Sequence, residues 1–286
     1  KLTHQKKWKK SVFQVYKEAS IDPSWNVELK KTCQKYNIDF MTAPYDLDYV
    51  DEVDKYISAY KIGSGDITWI EIIQKIAKKN KVVILATGAS DNKDVIRAVN
   101  SIKKINKKIV LMQCNTNYTA DQDNLKYLNL NVLNSYKRQF GKSTILGLSD
   151  HTHGNLSVLA AVAMGAKVIE KHFTDNNSQN GPDHKFSMNP KTWEKMVNET
   201  RILENALGDG IKKIEKNEKK SIIVQRRSIR AKKEIKKGSL IKKSMLINLR
   251  PITNNGISPY KIDKILNKRT KVNIRAQEEV TWKKIK

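Results

Sequence analysis

Six short runs of β-branched and apolar residues recur along the chain: Ile38–Met41, Ala59–Ile62, Val82–Ala86, Ile109–Gln113, Ile145–Leu148 and Val168–Glu170. Runs this short and this uniformly apolar predict parallel strands covered on both faces, and parallel neighbours need a crossover between them. Amphipathic stretches supply the crossovers, over roughly Val27–Lys35, Leu47–Tyr56, Trp69–Lys79, Lys93–Ile105, Leu125–Gln139, Asn155–Met164 and, after the last strand, Lys191–Leu207. Thr68 followed by Glu71 predicts a capping box at one helix start, and Asn189-Pro190 predicts a cap followed by a proline at the first helical position of another.

Consecutive βα units build either an open doubly wound sheet or a barrel, and the polar residues separate the two. Each strand ends in reactive or hydrogen-bonding side chains: Thr42; Lys61 and Ser64; Thr87; Asn115 and Thr116; Ser149, Asp150 and His151; Lys171 and His172. An open sheet concentrates its site at one switch point, whereas a barrel gathers the C-terminal ends of all its strands around one mouth. The expectation is therefore an α/β fold, a TIM (β/α)8 barrel lacking its first two βα units. Residues 1–207 form this partial barrel, 208–221 a charged linker (GDGIKKIEKNEKKS), and 222–286 a small, mostly-β domain with short alternating runs.

Composition narrows the partners. A net charge of +26 raises nucleic acid or an anionic membrane, but the lysines are spread over nearly every helical stretch rather than gathered in one stripe. They read as solvated helix faces whose summed field attracts anionic substrates, and nucleic acid is not the expected partner. No run of 18 apolar residues occurs and the opening KLTHQKKWKK has no apolar signal core, so a cytoplasmic protein without membrane attachment is expected. The two cysteines, Cys33 and Cys114, have neither metal spacing nor disulfide density and are read as buried thiols.

Ser149-Asp150-His151 and Glu170-Lys171-His172 form the strongest chemical constellation. At adjacent strand ends of a barrel His151 and His172 can converge on one divalent ion; the alternative is two rings hydrogen-bonded separately. Lys61 beside Gly63-Ser64-Gly65 suits a phosphate or carboxylate cradle, since glycines let backbone N–H groups approach an anion, although such a turn also serves plain connections. Gly181-Pro182-Asp183-His184 is a further turn whose Asp183 can face the same mouth.

KIGSGDITW, ILATGAS, LGLSDHTHG, VIEKHFT and GPDHKFSM stand in an order and spacing that resemble the sialic acid synthase family, which includes N-acetylneuraminate, legionaminate and pseudaminate synthases. RRSIRAKKEIKKGSLI and LRPITNNGIS resemble that family's C-terminal cap, the SAF or antifreeze-like β-clip domain. The resemblance implies a transferase of nonulosonic acid and cell-surface polysaccharide biosynthesis that condenses phosphoenolpyruvate with an N-acylated hexosamine, N-acetylmannosamine or a diacetamido-trideoxyhexose. It implies Mn2+ or Mg2+ on His151 and His172, and phosphoenolpyruvate held by Lys61, Ser64, Thr42 and Ser149. Asp183, Asp66 and Lys61 become the catalytic candidates, with Thr116 and Tyr118 lining the pocket. Arg250 is implied as the cap arginine reaching the sugar's N-acyl group in the partner subunit of a domain-swapped homodimer. Three positions depart from the family pattern: Asp66 replaces a glutamate, Ala86 a serine and Thr116 an asparagine. Competing readings are another phosphoenolpyruvate-dependent aldol-type synthase, of the deoxy-octulosonate phosphate type, a basic carbohydrate- or nucleic-acid-binding protein, and a truncated chain that binds carbohydrate without turnover.

Overall fold

A computed structural model describes residues 10–119, 121–181 and 183–286. The chain divides into two compact units, Lys1–Gly208 and Asp209–Lys286. The first opens with α1 (Val12–Ala19), α2 (Asn26–Lys35) and α3 (Leu47–Val53). There follow β1 (Ala59–Ile62), α4 (Ile70–Lys78), β2 (Val82–Ala86), α5 (Asn92–Lys103), β3 (Ile109–Cys114), α6 (Val132–Phe140), β4 (Ile145–Asp150), α7 (Leu156–Ala163), β5 (Val168–Lys171) and α8 (Pro190–Leu207). The Asn189 cap forms as the sequence predicts: its side chain accepts from the Thr192 N–H, and Pro190 opens the helix where no N–H is needed.

The five strands form one parallel sheet in the order β1-β2-β3-β4-β5, with no reversal of direction across it. Right-handed crossovers wound one way place the crossover helices, α4 to α7, on the same face. The packing agrees. Tyr60, Ile62, Val83, Leu85, Ile109, Leu111, Leu146 and Leu148 share a core with residues of α4 to α7, such as Ile73, Ile76, Val99, Ile102 and Leu133. The alternate residues Ala59, Ile84, Val110 and Met112, flanked by Val82 and Val168, form a second cluster made of strand side chains alone. A singly wound sheet with one face free of crossover helices, called the helix-free face below, differs from the doubly wound arrangement, which has a switch point and crossover helices on both sides.

Several expectations need correction. Ile38–Met41 is not a strand: Ile38 is 62% and Met41 47% exposed, and only Thr42 bridges Tyr60, its carbonyl accepting the Lys61 N–H. With little packed against that run, apolar composition alone does not hold it in the sheet. The Thr68–Glu71 capping box does not form, because a 3-10 turn over Ser64–Asp66 shifts the start of α4 and Trp69 occupies the cap without a side-chain bond. The Leu125–Gln139 stretch is a 3-10 segment, Gln122–Tyr127, followed by the separate α6. Cys114 is buried, but Cys33 on α2 is only half-buried.

In the second unit the stretch expected as linker and first strand contains α9 (Lys219–Gln225). It precedes the antiparallel pair β6 (Ser228–Ala231) and β7 (Leu246–Leu249). Ile229, Ile235, Ile241, Ile257, Ile265, Ile274, Val280 and Ile285 give this unit its own core. Below its 250–256 loop Glu279 accepts from the Thr253 N–H and hydroxyl. Among the described residues no helix is long and apolar enough to cross a membrane.

Gly147 on β4 sits opposite Met112 on the helix-free face, and a Cβ there would lie 2.8 Å from the Val168 carbonyl oxygen and 2.9 Å from Met112 Cγ. Met112 can yield but strand backbone cannot. Gly147→Ala is expected to destabilise the protein by about 1–3 kcal/mol, read as a lowered urea midpoint at unchanged slope. An unchanged midpoint would contradict this packing of β4 against β5.

Candidate active site

Strand alternation sorts the chemistry. On the helix-free face the side chains are apolar at the N-terminal and middle levels, where Ala59, Ile84, Val110, Met112 and Val168 meet. They become polar toward the C-terminal ends, with Lys61, Cys114, Ser149 and Glu170 and, one step past the strands, His151 and His172. β4 and β5 pair Ser149 with Glu170 and Asp150 with Lys171, so the next residues, His151 and His172, follow side by side. Ser149 Oγ donates to Glu170 Oε1 at 2.9 Å, and the two imidazole rings lie 5.1 Å apart between centroids.

Both rings have a defined orientation. His151 Nδ1 lies 3.0 Å from the Asn115 carbonyl oxygen; a carbonyl only accepts, so Nδ1 carries the proton and Nε2 keeps its lone pair. Burial pushes the His151 pKa below the usual histidine range, against the Asn115 carbonyl and the carboxylates of Asp150, Glu170 and Asp183, which favour the cation. His172 Nδ1 faces Asp183 Oδ2 at 3.4 Å, the relation by which a carboxylate orients a ligating histidine. Tyr118 packs on both rings, at 4.4 Å from His151 and 5.7 Å from His172, and Phe186 lies 5.1 Å from the His172 ring. Two neighbouring imidazoles, each with an acceptor near Nδ1, fit a divalent ion that keeps open positions. Among the described residues no group of three or more His, Cys, Asp or Glu side chains is arranged to hold one.

Near His151, Ser64, Gly88, Thr116 and Cys114 lie close together and form the candidate cradle. Ser64 Oγ accepts the Gly88 N–H at 2.9 Å, and a Cβ on Gly88 would fall 1.8 Å from Thr116 Oγ1 and 3.0 Å from Cys114 Sγ. Lys61, with its side chain 15% exposed, points its ammonium toward Glu170 Oε1 at 3.4 Å. Burial raises the Asp66 pKa, with Lys61 pulling it the other way. Burial also raises the pKa of Tyr45, with Asp66 and Glu170 adding to the effect, and that of Tyr118.

Lys61, Ser64, Asp66, Thr116, Tyr118, Ser149, His151, His172 and Asp183 are thus linked through contacts or through-space interactions around one set of strand ends. Thr42 joins them by its backbone bond to Lys61. Arg250 belongs to the second unit, where its Nε donates to the Gln225 carbonyl. Thr87, Asp150 and Lys171, read from the sequence as facing the mouth, lie on the opposite, helix-covered face. There Thr87 bonds Tyr136 and the Met112 carbonyl, and Asp150 and Lys171 bond each other. Glu170 stands in the strongest constellation of the sequence but was given no role there, and Tyr45 and Phe186 were not singled out. Glu170 was accessible by parity, two positions before His172; Tyr45 and Phe186 arrive from loops and carry no local signal.

The sequence pattern of the NeuB family matches residues 1–212, and that of the SAF domain residues 226–286. N,N'-diacetyllegionaminic acid synthase of Campylobacter jejuni is 38% identical over 94% of this chain and 79% of its own length. Pseudaminic acid synthase of the same organism is 30% identical over 93% and 76%. The crystal structure of N-acetylneuraminic acid synthetase from Leptospira borgpetersenii, in complex with citrate, superposes with a TM-score of 0.68 at 29% identity, covering 76% of each chain.

The depressed His151 pKa has a thermodynamic consequence. In the unfolded chain this group titrates near about 6.5, and in the folded chain lower, so on acidification the unfolded state binds the proton first. Its contribution to stability is full above the unfolded value and is lost progressively as pH falls from there through the folded value. The urea midpoint of the wild type relative to His151→Asn is expected to be constant above about pH 7 and to shrink below about pH 6.5. A pH-independent difference would contradict the assignment.

Proposed function

We propose, because this chain belongs to the NeuB family, that it is a nonulosonic acid synthase condensing phosphoenolpyruvate with an N-acylated hexosamine and water and releasing phosphate. The observation that carries this reading is the meeting of an oriented histidine pair with the cradle of Lys61, Ser64 and the Gly88 N–H. We read the sheet as part of a (β/α)8 barrel whose mouth lies at these strand ends. The higher identity to the N,N'-diacetyllegionaminic acid synthase makes a diacetamido-trideoxyhexose the first sugar to test.

His151 and His172 would hold a Mn2+ or Mg2+ ion through Nε2. Such an ion supplies Lewis acidity toward a sugar carbonyl. The chain's own groups bind and orient. Lys61, Ser64 and Ser149 offer cationic and hydroxyl donors to the phosphate and carboxylate of phosphoenolpyruvate, with the Gly88 N–H, which donates to Ser64 Oγ, orienting that hydroxyl, with Ser149 turning from its Glu170 acceptor, and with Thr42 and Thr116 bordering them. Lys61 must exchange its Glu170 partner for the incoming anion. In the condensation, C3 of phosphoenolpyruvate bonds to the aldehyde carbon, whose oxygen takes a proton. Water bonds at C2 and gives up its protons, and the C2–O bond to phosphate breaks. Asp66, whose pKa burial raises above the usual aspartate value, and Asp183, 3.4 Å from His172, are the carboxyl groups nearest this chemistry for proton exchange. The second unit acts in a homodimer, with Arg250 offering a planar fork to the N-acyl carbonyl of the sugar on the other subunit.

Phosphate release measured with phosphoenolpyruvate, Mn2+ and a panel of N-acyl sugars is expected for at least one sugar. It should be abolished by chelation, and kcat should drop at least about a hundredfold in His151→Ala and in His172→Ala. Release undiminished in chelator, or no condensation with any sugar, would remove this reading. Mixing Arg250→Ala with His151→Ala subunits is expected to restore activity in the exchanged heterodimer, in which one site carries both groups. No recovery after demonstrated exchange would exclude the shared site.

A further inference from the structure

Behind the two histidines, on the helix-covered face, lies an ion pair that the proposed chemistry does not use. Lys171 Nζ stands 2.7 Å from Asp150 Oδ2, and the side chains are 1% and 0% exposed. Ion pairs so fully buried are a poor route to stability, because desolvation of both ions offsets their attraction and an apolar pair of the same volume often serves as well. The hydrogen bonds of this pair suggest a different use. Asp150 Oδ1 accepts the Thr152 N–H at 2.9 Å, and Lys171 Nζ donates to the Thr152 carbonyl at 2.7 Å. The backbone of the residue after His151 is therefore gripped at both its polar groups. Ser157, on α7, completes the shell by donating to Asp150 Oδ2 and lies 3.1 Å from Thr152 Oγ1.

The pair also stands at the register position that precedes both histidines. Asp150 is the partner of Lys171, and the next residues are His151 and His172. On the far side His172 is fixed by the Met188 N–H, which donates to its carbonyl at 2.8 Å. The strand ends are thus tied together one residue below the two rings, and the turn above His151 is tied to the same ammonium.

We propose that the buried Asp150–Lys171 pair is a positioning device that holds the His151 and His172 backbones at the separation a shared divalent ion requires. This rests on the reading of the histidines as an ion site. The pair touches neither ion nor substrate and acts only through Thr152 and the strand ends. An apolar replacement fills its volume but cannot hold the Thr152 peptide.

The test measures Mn2+ affinity of the full chain by electron paramagnetic resonance, with urea unfolding of the same samples in chelator. Wild type, His151→Ala, His172→Ala, the double variant Asp150→Leu with Lys171→Met, Asp150→Asn and Ser157→Ala are compared. The double variant is expected to remain folded without urea but to unfold at a lower midpoint, because the buried Thr152 N–H and carbonyl lose their partners, and to bind Mn2+ about tenfold or more weakly, the size of effect seen when groups supporting metal ligands are removed. Ser157→Ala, a small truncation that leaves the pair in place, is expected to weaken Mn2+ about threefold. A double variant that folds and binds Mn2+ as wild type does overturns the inference. If the double variant does not fold, Asp150→Asn, which removes the charge of the pair at nearly the same volume, decides, and wild-type affinity there overturns the inference equally. Failure of the underlying ion site looks different, since Mn2+ binding would then be absent from wild type or unaffected by either histidine substitution.

Discussion

The register between β4 and β5 is the constraint on which the site depends. Because side chains alternate with a period of two, a slip of one residue would exchange the faces of every side chain on one strand. Here it would bring Asp150 or Lys171 out of the helix-covered layer and leave the other charge buried and unpaired, a change that costs several kcal/mol when one partner of a buried pair is lost. The buried pair and the Ser149–Glu170 bond on the opposite face thus fix one register from both sides of the sheet. The singly wound order does the complementary work, since it assigns the crossover helices to one face and leaves the other to the chemistry.

The electrostatics of the helix-free face have the sign that a cation-assisted reaction of an anion needs. Glu170, Asp66 and Asp183 lie near the histidines, with Lys61 opposing them, so the site itself is not strongly basic although the chain carries a net charge of +26. Lysines on the outer helices carry part of the excess charge; Lys75 of α4 and Lys79 at its C-cap, for example, share the Asp51 carboxylate. That outer charge raises the local concentration of anions, while the carboxylates inside favour retention of a divalent cation. The two fields operate at different distances and do not conflict.

Much of this was legible in the sequence. Five of the six strand runs, most of the crossover helices and the Asn189 cap follow from periodicity and cap residues, because their apolar residues have a helix layer to pack against. The run at Ile38 has the same composition and fails, since strand propensity expresses packing and that run has little of it. Site residues at or just past strand ends, such as Lys61, His151 and His172, stand at predictable levels; of those on loops, Ser64 and Asp183 were picked out by their glycine-containing turns and Tyr118 by the family resemblance, whereas Tyr45 and Phe186 arrive through tertiary folding without such a signal. Assigning all strand-end polar residues to one mouth was an error that parity could have prevented. Ser149 and His151 differ by two and share a face, while Asp150 lies between them and must point the other way. The same count separates Glu170 and His172 from Lys171.

Parity also bears on the three departures from the family pattern. Ala86 is buried on the helix-free face of β2, at the level of Met112, so a serine hydroxyl there would sit one layer below the Gly88 N–H. The cradle formed by this chain relies instead on close approach. Gly88 lies so near Thr116 and Ser64 that no Cβ fits, and its N–H is thereby held against the Ser64 hydroxyl. Threonine at 116 fills that space with a branched, stiff side chain whose hydroxyl is placed by packing. Asp66, shorter than glutamate, remains within the field of Lys61 and in a setting buried enough to raise its pKa. With the Gly88 amide spent on Ser64, the groups that an anion would meet here are the hydroxyls of Ser64 and Thr116 and the Lys61 ammonium.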